Sequence, residues 1–418
     1  MTGNVRNRPE ERKHVVRRSA IAAVGALAIC LFAVFSGAAA GPKGAQPPPP
    51  PPAQADVVTP LVASPLAAPH PVLGADGRRH LVYELQLINP FPAALTVDKV
   101  QTVDPATGEV LAVLEGDAVA AVMVPFGAAP GATLGPGGAG FILMDASLPK
   151  GVDVPARLVH DFSLSLEPNP GLPGVERSGS TEIIGDEPVV IGRPLGGARW
   201  VVTNGCCAGF NSHRSAVNPV NGAFHVSERF AIDFVQLDAE GRLFVGPPDE
   251  LSSYPFYGVD VLSVTKGVVV RTKDGLPDNT PVGSLPPDLT LETAGGNYVV
   301  VDIGRGRVAF YAHLKPGSLT VEVGDHVKRG QVLGLLGNSG NSDLPHLHFQ
   351  VMDTQSPFAS DGLPHEFRSF GSEGTLANPE EVLAGGIAVI DPVLSGPHSR
   401  QLPLNLEVIS FNSGKGGR

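Results

Sequence analysis

The sequence predicts an all-β protein: an N-terminal β-sandwich of immunoglobulin-like type, then a second domain built on an antiparallel sheet. Three observations predict it. The 418 residues include 51 glycines and 41 prolines. Helices cannot absorb them, because each Gly costs about 1 kcal/mol and each Pro about 3 relative to Ala in a helix interior. Apolar residues recur at the period of two that marks a half-buried strand. Turn residues punctuate these stretches at the short intervals of sandwiches. With 42% hydrophobic residues the chain has material for packed cores, and its length suits two or three domains. Coiled coils, helical bundles and disordered acidic chains are excluded.

Residues 1–18 form a basic tail, with Arg6, Arg8, Arg12, Lys13, Arg17 and Arg18 against Glu10 and Glu11. Residues 19–40, SAIAAVGALAICLFAVFSGAAA, carry no charge. About 20 apolar residues span a bilayer as a helix, and the preceding cations keep the N-terminus cytoplasmic. The closing Ala38-Ala39-Ala40 equally fits signal-peptide cleavage. A transmembrane anchor and a cleaved signal therefore both stay open, and either means export, leaving the chain secreted or held at the membrane by this segment. Cys30 inside the run reads as an ordinary apolar membrane residue. Residues 41–56 hold the run Pro47 to Pro52, a linker expected to be extended polyproline II. The net charge is −11, and the basic N-terminus makes the rest more acidic still. Nucleic acid is excluded as a partner, since phosphate binding needs clustered Lys and Arg.

Residues 57–187 read as the β-sandwich. In HLVYELQLINP, Leu81, Tyr83, Leu85 and Leu87 are spaced by two, the pattern of a half-buried strand. LTVDKVQTVDPATGEVLAVLEG reads as strand, turn at Asp104 to Gly108, strand. AGFILMDASLP and ARLVHDFSLSLEP give two more. Adjacent His160 and Asp161 point to opposite faces of a strand, which argues against a shared site and makes them surface or strand-end residues. The domain's role is spacing or binding.

Residues 192–355 form the second domain, where histidines appear in ordered places. In Pro345-His346-Leu347-His348-Phe349, the two histidines face the same way on a strand and can converge on one metal or one water. Tyr311-Ala312-His313-Leu314 precedes them, after a strand VVVDIGRGRVAF. Between lies VEVGDHVKRGQVLGLLGNSGN, with Gly324, Gly330, Gly334, Gly337 and Gly340 expected at turns that present the histidine pair. Upstream stands Arg229-Phe230-Ala231-Ile232-Asp233-Phe234.

Over residues 195–355 this order of elements resembles the LytM-type domain of the M23 (lysostaphin-like) metallopeptidase family. The resemblance implies an antiparallel β core with a groove on one sheet, one zinc ion, and hydrolysis of peptide bonds in bacterial peptidoglycan. The family holds zinc by a His and an Asp of an HxxxD element and by the second His of HxH. Carried over, the Asp falls on Asp233 and the second His on His348. His346 and His313 fall where the family flanks the zinc-bound water. The chain departs at the first ligand, which is Arg229, with Ala231 in place of the usual glycine. A guanidinium has no lone pair to give zinc, so it must turn elsewhere or pair with a carboxylate. Asp233 and His348 alone fall short of the usual three protein ligands. His213 and, less favoured, His225 are the candidate replacements.

Cys206 and Cys207 are adjacent, which argues against a bridge between them and leaves the fold to its core. Residues 356–418 form a C-terminal extension packing on the peptidase-like domain. It carries a strand alternating through Leu402, Leu404, Leu406 and Val408, and a short helix after Asn378 ended by Gly385 and Gly386. His365 there reads as a surface histidine. Three functions compete: an exported cell-wall zinc endopeptidase, a non-catalytic module of the same fold that binds wall or regulates other hydrolases, and a different zinc hydrolysis on the same scaffold.

Overall fold

Strands dominate the structure, a computed structural model that describes residues 56–166, 174–207 and 209–411. The expected tail at 1–18, the apolar segment at 19–40 and all but the last residue of the linker at 41–56 lie outside these residues. Among the described residues, no helix is long and apolar enough to cross a membrane. The sheets are antiparallel apart from the parallel pairing of Val189–Ile191 with His365–Phe367.

The N-terminal region holds two five-stranded sheets. One runs Val62–Pro65, Arg78–Ile88, Ala139–Pro149, Met123–Pro125, and the other Val175–Glu182, Arg157–Leu166, Leu95–Val103, Val110–Glu115. They share one core, in which Leu81, Tyr83, Leu85 and Leu87 meet Val97, Val100, Phe162 and Leu164. The period-two reading of Arg78–Ile88 thus predicts its inward face. Its other face does not meet solvent as a half-buried strand should. Val82 belongs to the core of the following region, and Glu84 is completely buried. The second region packs over the strand and covers it.

A short helix, Asp117–Val122, buries Val119 and Val122 between the strands. One expectation in this region fails: His160 is fully buried rather than superficial. Neighbours flank its strand on both sides, and its ring bonds the Tyr83 hydroxyl at 2.6 Å and the Gly179 carbonyl at 2.8 Å. Burial lowers its pKa to about 4. Asp161, on the opposite face as alternation requires, pairs with Arg177.

The second region is built on an eleven-stranded sheet, with three two-stranded sheets beside it. Its centre runs Asn297–Gly304, Arg307–Leu314, Leu347–Met352, Ile232–Gln236, Gly197–Thr203. The stretch expected as the single strand VVVDIGRGRVAF is a hairpin. Arg305 and Gly306 have φ of 58° and 67°, the paired positive values of a tight hairpin turn. Gly334 is also not a turn, since it lies inside the strand Val332–Leu335. Gly340, with φ 77°, is needed for close approach: a Cβ there would overlap the Gly296 backbone.

The C-terminal residues extend this sheet. Glu407–Phe411 pairs with Gly197–Thr203, and Phe370–Leu376 with Glu407–Phe411. The strand starts later than the Leu402 alternation predicts, because Leu402 bonds backbone to backbone with the N-terminal region at Leu73 and Ala75. The helix Pro379–Leu383 forms, but Asn378 does not cap it; its side chain holds Val389 N and Ile387 O instead. His365 is fully buried between Phe349 and Phe367, because its strand is paired inside the fold. Cys206 and Cys207, expected to stay apart, are bonded to each other. The peptide between them is cis, which brings their Cα atoms to 3.0 Å.

Candidate metal centre

Sheet register builds the centre. Asp233 on Ile232–Gln236 lies opposite His348 on Leu347–Met352, and Ala312 lies opposite His348 on its other side. His346 and His348 share a face, as their spacing predicts. Their ring nitrogens stand 3.5 Å and 3.0 Å from Asp233 Oδ1.

His313 reaches the same face by a kink. Alternation after Tyr311, which is buried in the core, would turn its side chain inward. Its φ of 61°, uncommon for a non-glycine residue, brings its ring to 4.7 Å from His346 and 5.8 Å from His348. The Nδ1–H donates to the Ser339 carbonyl at 2.8 Å, which leaves Nε2 as the acceptor. Burial, then the neighbouring His346 and His348, hold its pKa well below the usual histidine value, so its imidazole is neutral at pH 7.

His213 arrives from the loop after Gly197–Thr203. Its Nε2 stands 3.2 Å from Asp233 Oδ2, and its ring packs edge-on against His348 at 4.8 Å. Burial opposes a charge on His213, but the Asp233 carboxylate overrides it and raises the pKa to about 9. Burial would likewise raise Asp233; the charges of His213 and His346, with hydrogen bonds from His213 and His348, outweigh it and hold the carboxyl well below its usual range. Asn204 adds a hydrogen bond to Asp233 Oδ2 at 2.9 Å. These groups line a cleft of about 270 Å³.

Three donor atoms, one each from His213, Asp233 and His348, lie within 4.8 Å of one another, all on buried residues. Two imidazoles and a carboxylate are a zinc donor set. His348 Nε2 bonds Gln350 Oε1 at 2.8 Å, which leaves Nδ1, 3.0 Å from Asp233 Oδ1, as the nitrogen that can give its lone pair to a metal. His213 Nδ1 is buried without a hydrogen-bond partner among the described residues. The residues therefore fit a divalent metal. His225, on the hairpin strand Ala223–His225, is not part of this donor group.

Arg229 does turn elsewhere. Its Nε donates to Glu84 Oε1 and Oε2 at 3.1 Å and 2.9 Å, and its Nη2 adds a further bond. Arg214, next to His213, donates from Nη1 to Glu84 Oε1 at 3.0 Å. Sequence reasoning missed Glu84, Gln350, Asn204 and Ser339. Gln350 was within reach, standing two residues after His348 on the same strand face. Glu84 was not, because alternation assigns it to solvent.

Residues 254–360 match Peptidase family M23. The M23 match includes His313, His346 and His348 but stops short of Asp233 and His213. Two curated relatives show the same likeness. Peptidoglycan DD-endopeptidase ShyA of Vibrio cholerae is 36% identical over 95 residues, 21% of this chain and 22% of that protein. Lysostaphin of Staphylococcus simulans is 30% identical over 133 residues, 29% of this chain and 26% of its own length. The chain thus spans about a quarter of the length of these relatives. Among solved structures, the catalytic domain of lysostaphin from Staphylococcus simulans aligns at 22% identity, covering 40% of this chain and 88% of that one, with a TM-score of 0.21.

Proposed function

We propose that the protein is an exported zinc endopeptidase of M23 type that hydrolyses peptide bonds in peptidoglycan. One observation carries the reading. His213 stands beside Asp233 and His348, so three donors meet even with Arg229 taken as the counterpart of the family's first ligand. A relative named as a peptidoglycan endopeptidase supports the substrate class. The apolar segment at 19–40 would carry the body to the envelope side, as an anchor or a cleaved signal.

His213, Asp233 and His348 would hold the zinc. Bound there, it would supply a water acidified to a pKa of about 7 and polarisation of the scissile carbonyl. The other roles belong to this chain's own side chains. His313, neutral and with Nε2 free of its proton, accepts a proton in the cleft and passes it to the leaving amine. His346 donates from Nδ1 to the Leu344 carbonyl at 2.9 Å, which turns its Nε2 to the cleft. There it orients the attacking water and, once protonated, stabilises negative charge on the substrate oxygen. Asn204 and Gln350 hold Asp233 and His348 in their rotamers.

The test is metal analysis of the purified body, residues 57–418, with release of peptides from isolated peptidoglycan. About one zinc per chain and release that stops on chelation are expected. A metal-free chain that leaves peptidoglycan intact would overturn the reading in favour of a non-catalytic binding or regulatory module.

A further inference from the structure

Glu84 lies on Arg78–Ile88 in the N-terminal region, fully buried between two arginines of the second region. Arg214 is held twice from that region. Its Nη1 donates to Glu84, and its Nη2 donates to the Met144 carbonyl on the neighbouring strand Ala139–Pro149, at 3.2 Å. Arg214 directly follows His213. Both sit in the connection between Gly197–Thr203 and Asn218–Val220, outside every strand of the sheet that carries Asp233 and His348. The turn there is local: Arg214 N bonds Asn211 Oδ1 at 2.9 Å, and Ser215 N bonds Asn211 O at 3.0 Å. Such a turn sets the chain's direction but not its distance from the sheet. Asn211 Nδ2 also ties the turn to the Gly205 carbonyl at 3.1 Å, just beyond the strand Gly197–Thr203, and the Arg214 side chain ties it to the N-terminal region.

We infer that Glu84 is a positioning residue for the metal centre. By anchoring Arg214, the N-terminal region delivers His213 to Asp233 and His348, while the same carboxylate holds Arg229 away from them. The N-terminal region is then more than a spacer, because it supplies the contact that completes the ligand set. The inference rests on the reading of His213 as a ligand.

The two halves of the clasp give the test. Arg214→Met leaves Glu84 neutralised by Arg229 but frees His213; Arg229→Met leaves Glu84 neutralised by Arg214 and His213 still tied. Zinc affinity is measured on the full-length protein by competition with a chromophoric chelator, and ligand geometry by the visible spectrum of the cobalt-substituted protein. Partners that orient metal ligands are worth about 10–100-fold in metal affinity. Arg214→Met should weaken zinc binding by that factor and alter the cobalt spectrum. Arg229→Met should stay within about threefold and keep the spectrum. Equal effects in both variants, or none in either, would overturn the inference and assign the clasp to folding alone. Glu84→Gln, if it folds, should follow Arg214→Met. A wild-type chain that takes up no zinc defeats the underlying reading, and this one with it.

Discussion

Two buried carboxylates, Asp233 and Glu84, sit at the centres of two clusters that differ in what surrounds them. Imidazoles ring Asp233, from His213, His346 and His348. Guanidiniums ring Glu84, from Arg214 and Arg229. Either set compensates the buried charge, which unpaired would be costly. Only the imidazoles can give up a proton and offer a lone pair. Asp233 can therefore share its imidazole partners with a metal, whereas Glu84 is locked to permanent cations and can only fasten segments together. Arg229 belongs to the second kind of cluster.

The sharpest way to break the contrast is His348→Ala. It should lower peptide release at least about a thousandfold, since removing a group central to the chemistry typically costs that much, and zinc should fall well below one per chain by metal analysis. Arg229→Met probes the other cluster. Glu84 keeps Arg214, so the loss is that of charge-assisted hydrogen bonds, about 2 kcal/mol, visible in urea unfolding, while zinc stays near one per chain.

His365 sharpens the comparison as a buried imidazole with no carboxylate beside it. Burial lowers its pKa to about 3. A depressed folded pKa contributes stability that is present above the unfolded value near 6.5 and is lost as pH falls toward the folded one. Between pH 7 and pH 5 the loss is about 2 kcal/mol, and His365→Leu should remove that part of the pH dependence in paired urea titrations. The smallest effect is expected for Gln350→Leu, which frees the His348 ring without touching a donor atom. Zinc affinity should fall about tenfold by chelator competition.

The sequence carried the chemistry where neighbours along one strand decide it. His346 and His348 share a face because side chains alternate, and the absence of a lone pair on Arg229 follows from its identity alone. Leu81 through Leu87 announced an inward face for the same reason. The alternation failed where a second surface intervened. Glu84 occupies a position it assigns to solvent, and His160 and His365 were read as superficial because a single strand does not say what covers it. His313 was assigned by family likeness, yet its backbone leaves the alternation that would have turned it inward.

The kinds of donor, the strand-rich fold and the inability of Arg229 to bind a metal were thus determined by the sequence alone. Tertiary structure decided which donors meet. His348 and Asp233 are 115 residues apart, and Glu84 and Arg229 are 145 apart. Periodicity describes a residue's own strand, but contacts across such separations depend on sheet register and on packing between regions. Those are settled by the burial of whole faces, and the choice of His213 over His225 depended on them.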